Sequence, residues 1–189
     1  MRVTQHEMDA NHNRIVEGAS RLMRERGVRS TSVADAMNEA GMTHGGFYRH
    51  FKTKDDLVVE ALRTAFDGFA KPLELRQQTE SPQAVVDEYK ALYLSPEHVA
   101  NPGRGCPMPA LGSDLAREAE PVKAEFTAGL RRVIAALSAA GKGSAEERQA
   151  CALREIAMLV GAVLLARACG DPMASEVLQA CHQPGPTQR

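Results

Sequence analysis

The sequence predicts an all-α protein. Apolar residues recur every three or four positions along most of its 189 residues, which is the spacing of one face of an α-helix. Several of these segments open with Ser or Thr followed three residues later by an acid, a pattern typical of helix starts. No stretch combines strict two-residue alternation with β-branched residues, so we predict no sheet.

Four helices are expected in the first third of the chain. The first spans about 11–26 and ends at Gly27. The second opens at Ser32, where Asp35 completes a capping box, and stops at Gly41.

The third predicted helix is short and the fourth is long. Thr43 is a good N-cap for a helix from His44 to about His50. The fourth opens at Thr53 with two acids in its first turn, where the helix dipole favours them, and Pro72 marks its limit or a kink.

The rest of the chain is also expected to be helical. Further helices are predicted to begin at Ser81-Pro82, to span about 109–118, to run from Pro121 to Gly141, and to begin at Ser144 and at Asp171-Pro172. The helix after Ser144 is apolar nearly all round between Ile156 and Ala168, so it should be covered on both sides. The segment 184–189 is expected to be a disordered tail.

Charge is unevenly distributed along the chain. Residues 1–54 contain nine Lys and Arg against six Asp and Glu, although the whole chain has a net charge of -1. We call residues 1–54 the head and the rest of the chain the body. A basic head on an acidic body favours nucleic-acid binding by the head.

Several classes of site and location are excluded by the sequence. There is no run of eighteen apolar residues and the first residues are polar, so we predict no membrane span, no signal peptide and a cytoplasmic location. The four cysteines show no metal-ligand spacing, so no metal and no cofactor is expected.

Residues 32–51 form a helix-turn-helix pattern, two short helices joined by a turn that contains glycine. In the second helix, Phe47 and Phe51 can point into a core, whereas His44, Tyr48 and Arg49 lie towards the other side. The pair Gly45-Gly46 is unfavourable in a helix, so we expect it to permit a close approach to a groove wall or to the first helix.

The segment from Thr43 to Leu57, THGGFYRHFKTKDDL, closely resembles the recognition-helix signature of TetR-family repressors, and the resemblance extends over about residues 9–69. It implies a DNA-binding domain over 9–69 and a C-terminal helical domain over 70–183 that binds a small-molecule inducer and forms a homodimer. It also implies a palindromic double-stranded operator as partner. Matched position by position, it implies DNA contacts by Ser32, Thr43, His44, Gly45, Tyr48, Arg49, His50 and Lys52. Lys54 is expected either to stabilise the start of the fourth helix or to contact a phosphate of the DNA.

The C-terminal part resembles the family less closely, so its sites are broader expectations. The ligand pocket should lie between the fourth and seventh helices. Its candidate residues are Phe66, Tyr89, Tyr93, Cys106, Met108, Leu111 and Phe126. The last two helices are expected to form the dimer interface, through Leu159, Val163, Leu164, Ala166 and Val177. In both sets the alternative is an ordinary intramolecular core.

Cys106 allows two interpretations. It follows Arg104 and precedes a helix start, and both features lower a thiol pKa, which would suit a sensor of electrophiles or oxidants. The alternative is a small buried hydrophobic residue next to a turn.

Two other classes of function compete with a regulator. A Cys106-dependent enzyme with His98 as base lacks an evident orienting partner or oxyanion loop. The second is a protein-binding module that no longer binds DNA specifically, although the presence of Tyr48, His50 and Lys52 disfavours this alternative.

Overall fold

A computed structural model of the chain describes residues 4–182, and all regular structure in that range is helical, which confirms the all-α expectation. The predicted tail 184–189 lies outside the described residues. The α-helices within 4–182 are α1 (Gln5–Arg26), α2 (Val33–Glu39), α3 (Lys54–Arg76), α4 (Pro82–Tyr93), α5 (Pro96–Ala100), α6 (Pro107–Leu115), α7 (Glu120–Ser138), α8 (Ala145–Ala168) and α9 (Met173–His182). The remaining regular structure within 4–182 consists of two 3₁₀ segments, His44–Arg49 and Pro102–Arg104.

Helix α1 begins six residues before the predicted start at residue 11. Thr4 caps it, because its hydroxyl accepts from the backbone N–H of Glu7 at 3.2 Å while the Glu7 carboxylate accepts from the backbone N–H of Thr4 at 2.8 Å. The prediction missed these turns because their residues are polar and extend no apolar stripe.

The third predicted helix forms as the 3₁₀ segment His44–Arg49 rather than as an α-helix. Gly45 and Gly46 are poor α-helix formers, and short segments without strong propensity commonly adopt the tighter helix. Thr43 is the N-cap residue of this segment, as predicted, but its side chain makes no capping hydrogen bond.

Helix α3 carries two hydrophobic cores, one at each half. Leu57 and Leu62 belong to an N-terminal core with α1, α2 and the first 3₁₀ segment, whereas Phe66 and Leu73 belong to a C-terminal core with α4, α7 and α8. The helix continues through Pro72 to Arg76, so Pro72 does not end it. The segment that links head to body is therefore one continuous helix.

The body also closes the N-terminal core. Leu111 and Leu115 of α6 and Val122 of α7 are buried there against residues of α1 and α3. The carboxylate of Asp114 accepts from the backbone N–H of Val28, just after the end of α1, at 3.3 Å. The head and the body therefore share packing, besides the helix that connects them.

Helix α8 has a buried and an uncovered side. Its buried residues face α6 and α7, but Leu164 and Leu165 are exposed in the single subunit, so the expectation of cover on both sides is not met within one chain. In the described part of the chain, α8 alone is long and apolar enough to cross a membrane by length and composition, a criterion that core helices also meet.

Candidate nucleic-acid interface and ligand cleft

The 3₁₀ segment separates its side chains onto two faces. Phe47 and Phe51 are buried and their rings stack with centroids 5.4 Å apart. His44, Tyr48 and Arg49 are exposed on the other face, and Tyr48 is 74% exposed. The Tyr48 hydroxyl, the Arg49 guanidinium and the His44 ring can each donate a hydrogen bond to an acidic surface that contacts this face.

The glycine pair has one structural partner. A Cβ on Gly46 would lie 3.3 Å from Cε of Met37, so the backbone here packs closely against a side chain of α2 and not against α1, which was one of the two expected alternatives. Gly45 has no atom within 4 Å of its Cβ position, which leaves open space beside the exposed face. A large partner can therefore approach the backbone at Gly45.

Three more of the residues expected to contact DNA lie on the exposed surface: Ser32, Thr43 and Lys52. The Ser32 hydroxyl is already engaged in the capping box of α2, since it donates to the Asp35 carboxylate at 2.6 Å and accepts from the Asp35 N–H at 3.1 Å. These bonds lower the pKa of Asp35, so its carboxylate stays charged.

His50 and Lys54 are partly buried, unlike the other residues expected to contact DNA. His50 is half-buried, and burial, together with nearby His12 and Arg49, lowers its pKa, so it is neutral near pH 7. Lys54 donates its ammonium to the carbonyl of Val28 at 2.9 Å. Lys54 therefore joins the start of α3 to the loop after α1, which agrees with the expectation that it stabilises the start of this helix.

His12 supports the exposed face from behind and was missed by the sequence reasoning. Its ring stacks on Phe51 with centroids 4.7 Å apart, and Nε2 lies 2.7 Å from the carboxylate of Glu60. It joins α1 to α3 beneath the 3₁₀ segment. The only signal for it was its place on α1 three residues before Ile15, where the apolar stripe of this helix begins.

A cleft of about 330 Å³ opens in the C-terminal domain. Its lining residues are Phe69, Tyr89, Leu92, Tyr93, Ser95, Glu97, His98, Asn101, Arg104 and Gly105. Of the residues predicted for a pocket, the cleft contains Tyr89 and Tyr93.

The other predicted pocket residues do not line this cleft, because they are packed in the cores. Phe66 and Phe126 meet edge to face with centroids 5.4 Å apart. Met108 is buried in the C-terminal core, and Leu111 in the N-terminal one. Met and aromatic residues at helical spacing look alike in sequence whether they surround a ligand or one another.

Cys106 is fully buried, as the second of its two interpretations predicted, and the lowered thiol pKa of the first interpretation does not occur. Burial raises the pKa of Cys106 to about 11, although Tyr93, Arg24 and Arg167 all favour the thiolate. Arg104, which suggested activation, is exposed and contributes nothing to this shift. The thiol is therefore protonated near neutral pH and inaccessible.

His98 is a structural residue that the sequence did not reveal as such. Its Nδ1 lies 2.6 Å from the carbonyl of Tyr93, and its Nε2 accepts from the backbone N–H of Cys106 at 2.9 Å. This pairing requires the neutral ring with its proton on Nδ1, and burial lowers the pKa of His98 accordingly. His98 does not pair with the Cys106 thiol, so the two do not form a catalytic dyad.

Two arginines connect the cleft to the rest of the fold. Arg24 of α1 donates to the carbonyl of Gly105 at 2.9 Å, and Arg167 of α8 donates to the carbonyls of His98 and Val99 at 2.9 and 3.0 Å. Since Gly105 and His98 line the cleft, its wall is bonded directly to the first helix of the head.

The predicted interface residues fall into two groups. Leu159, Val163 and Ala166 are buried in the subunit's own core and cannot face a second copy, so that expectation is corrected. Leu164 is exposed, and Val177 is half-buried against the C-terminal core. A helix that is apolar all round does not reveal in sequence which side faces inward.

Comparison with known proteins places the head in a family. The family model of bacterial regulatory proteins, tetR family, matches residues 15–61. The repressor KstR2 of Mycobacterium tuberculosis is 32% identical over 77 residues, which cover 40% of this chain and 38% of that protein. AcrR of Shigella flexneri is 36% identical over 81 residues, 43% of this chain and 37% of that protein. The match thus spans less than two fifths of these relatives.

Solved structures resemble the whole chain. NemR of E. coli in its reduced form superposes with a TM-score of 0.77 at 20% identity, covering 92% of this chain and 93% of that one. A TetR-family regulator of Agrobacterium tumefaciens gives 0.76 at 22% identity, with 92% and 96% covered. These neighbours share the fold, an N-terminal helix-turn-helix domain followed by a helical domain.

The family model, the curated relatives and the shared fold agree. The proteins of this family are transcriptional regulators, which are not enzymes. Residues 15–61 of this chain match the TetR family of bacterial regulatory proteins, and the whole chain shares the fold of TetR-family structures.

Proposed function

We propose that this protein is a DNA-binding transcriptional regulator, a repressor that binds a palindromic operator as a homodimer and is released by a small molecule. The observation that carries the proposal is the exposed face of His44, Tyr48 and Arg49, held rigid by buried Phe47 and Phe51 within the family-matched domain. Occlusion of a promoter needs no further parts, so repression is the simplest outcome.

Two copies are needed for specific recognition. A six-residue segment meets only a few base pairs, too few to select one genomic site. Two segments related by a twofold axis would read a palindrome with half-sites about 34 Å apart, one DNA turn, or somewhat more. A change in that separation weakens both half-sites together.

The uncovered face of α8 supports the dimer. Its exposed large apolar residues, with one on α9, are Leu153, Met158, Leu164, Leu165 and Met173. Such a row on one helix surface is typical of an interface, because burial against a second copy removes apolar area from water.

The dimer is tested with Leu165→Glu, which introduces a charge into this face. We expect a monomer in analytical ultracentrifugation and loss of operator binding. Leu75→Glu is the matched control, since Leu75 is an exposed leucine on α3, 62% exposed against 50% for Leu165, and this variant should remain dimeric. A dimeric Leu165→Glu variant would place the interface elsewhere.

DNA binding is tested by selecting genomic fragments with the purified protein at moderate salt and sequencing them. One enriched palindrome would support the proposal, and no enrichment would contradict it. Arg49→Ala should weaken binding and lower the slope of log affinity against log salt by about 1 per subunit if Arg49 contacts a phosphate. Arg131→Ala, an exposed arginine of α7, is the control and should leave the slope unchanged. Binding to a protein surface would show no such slope.

We place the signal in the cleft rather than at Cys106, because that thiol is buried and its pKa is raised. A ligand there would act on the head through the Arg24–Gly105 bond and through α3, which is packed in both cores. Such a ligand changes the affinity for DNA only if it binds more tightly at one separation of the dimer's two DNA-binding domains than at the other.

A further inference from the structure

Three ionisable side chains meet behind the 3₁₀ segment His44–Arg49. The imidazole ring of His12 on α1 and that of His50, the residue that follows this segment, have centroids 5.8 Å apart. Nε2 of His12 also lies 2.7 Å from a carboxylate oxygen of Glu60 on α3. Two imidazoles and one carboxylate thus form a single cluster next to the face that we propose contacts DNA.

The carboxylate of this cluster is engaged by His12. The ring of His12 is held in place because it stacks on the buried ring of Phe51, with centroids 4.7 Å apart and ring planes 26° apart. In that position its Nε2 is within hydrogen-bond distance of Glu60. By contrast, no hydrogen bond engages the ring of His50 within residues 4–182. The two rings therefore share one carboxylate, and that carboxylate serves His12.

The surroundings of His50 oppose its protonation. Partial burial, then His12 from α1 and Arg49 from its own segment, lower the pKa of His50, and no other charged group within residues 4–182 shifts it. Glu60 of α3, the acid of the cluster, is bonded to His12 instead. In the free protein the ring is therefore neutral near pH 7, and its nitrogens are unengaged at the end of an exposed face.

A DNA phosphate would reverse this balance. It brings a negative charge and an oxygen acceptor to a ring that has neither, and both favour the charged form of the imidazole. One proton passes from solvent to the free ring nitrogen of His50, and the imidazolium donates to a phosphate oxygen. Because binding of DNA then strengthens binding of the proton, the proton strengthens binding of DNA by the same factor.

We propose that DNA binding takes up one proton per subunit at His50, and that His12 is the positioning residue that makes this uptake depend on DNA. Because His12 engages Glu60, His50 finds its acceptor on the DNA and not within its own subunit. The affinity for DNA therefore rises as the pH falls from about 8 to about 6, the range in which histidine titrates. The inference rests on the proposed function, since it needs the end of the exposed face to contact phosphates.

The first test measures the affinity of the full chain for an enriched operator duplex at pH 6.0 and pH 8.0, at constant salt because salt alone changes the affinity. By fluorescence anisotropy, we expect binding to be about tenfold tighter or more at pH 6.0. His50→Gln keeps a neutral donor for a phosphate and should lose most of this ratio. His182→Gln is the matched control, an exposed histidine of α9 outside the head, and it should keep the parent's ratio. Equal affinities of the parent at the two pH values, or an unchanged ratio in His50→Gln, would overturn the proposal.

The second test follows the titration of the His50 ring by NMR. In the free chain its midpoint should lie below the usual histidine value of about 6.5, and addition of the duplex should raise it. His12→Gln keeps a donor for Glu60 but removes the positive charge beside His50. In this variant the His50 midpoint should rise without DNA, and the pH at which DNA affinity changes should rise with it. If His12 had only a structural role, the midpoint would not move, and that result refutes the role proposed for His12.

The two proposals fail separately. An operator that is bound equally well at both pH values removes only the proton uptake. If no operator is enriched, the regulator is contradicted, and proton uptake is then measured with a random duplex of about 30 base pairs at low salt, because every sequence carries phosphates. A chain that binds neither duplex contradicts both proposals.

Discussion

Gly129→Ala should loosen the contact between α3 and α7. Gly129 is buried in α7, directly under the ring of Phe66 on α3, and an added Cβ would lie 2.2 Å from two ring carbons. Carbon atoms in favourable contact are about 3.5–4.0 Å apart, so ring or helix must move by more than 1 Å. Phe66 cannot move freely, because Phe126 packs edge to face against it.

The magnitude follows from two opposing effects. Overpacking of a rigid contact costs about 1–3 kcal/mol, while replacing a helical glycine with alanine contributes about 1 kcal/mol in return. Gly68→Ala is the matched control, since Gly68 lies in α3 with no atom within 4 Å of its Cβ position and gains only the propensity. The two variants should differ in free energy of unfolding by about 2 kcal/mol, or about 4–8 °C in Tm for a chain of this size.

Urea unfolding followed by far-UV circular dichroism measures this difference, at one protein concentration because an associating chain has a concentration-dependent stability. We expect Gly68→Ala to be more stable than the parent and Gly129→Ala to be equal to it or less stable. If Gly129→Ala is stabilised as much as Gly68→Ala, the close approach of α7 to Phe66 does not exist.

Three further predictions concern caps, protonation and the thiols. Ser32→Ala should lower the free energy of unfolding by about 1 kcal/mol, whereas Thr43→Ala should change it little, because only Ser32 makes a capping bond; equal losses in urea unfolding would contradict this. His98 has a lowered pKa when folded, so the unfolded chain takes up its proton first and stability should fall as the pH drops below about 6.5; in His98→Gln, unfolding at pH 7.5 and 5.5 should differ less than in the parent, and an unchanged difference would contradict the assignment. Brief alkylation read by mass spectrometry should label exposed Cys151 first and Cys106 last, and early labelling of Cys106 would show that its burial is incomplete.

Local signals predicted the helices and failed at their edges. The capping boxes at Ser32 and Ser144 and the glycine after α1 lie where the sequence placed them, because a cap is a bond between residues three or four apart. The start of α1 and the 3₁₀ form of residues 44–49 were missed, since polar turns and a glycine pair carry no periodic signal.

Assignments that depend on distant contacts were the least reliable. Leu111 was expected in a pocket and lies in the core of the head, and Leu159 was expected at an interface and lies inside the body. Both are apolar residues at helical spacing. Their sequence neighbourhood shows that they are buried, but not by which partner.

The sequence by itself determined the all-α class, the helix-turn-helix over 32–51 and the division of its second segment into buried Phe47 and Phe51 and an exposed polar face, because all of these depend on residues within one or two helical turns of each other. Only the tertiary structure decided that Cys106 is buried with a raised pKa and that the wall of the cleft is bonded to α1. Those properties depend on desolvation and on donors brought together from α1, α4 and α8, which are far apart in the chain, and solvation and charge balance are set by neighbours in space.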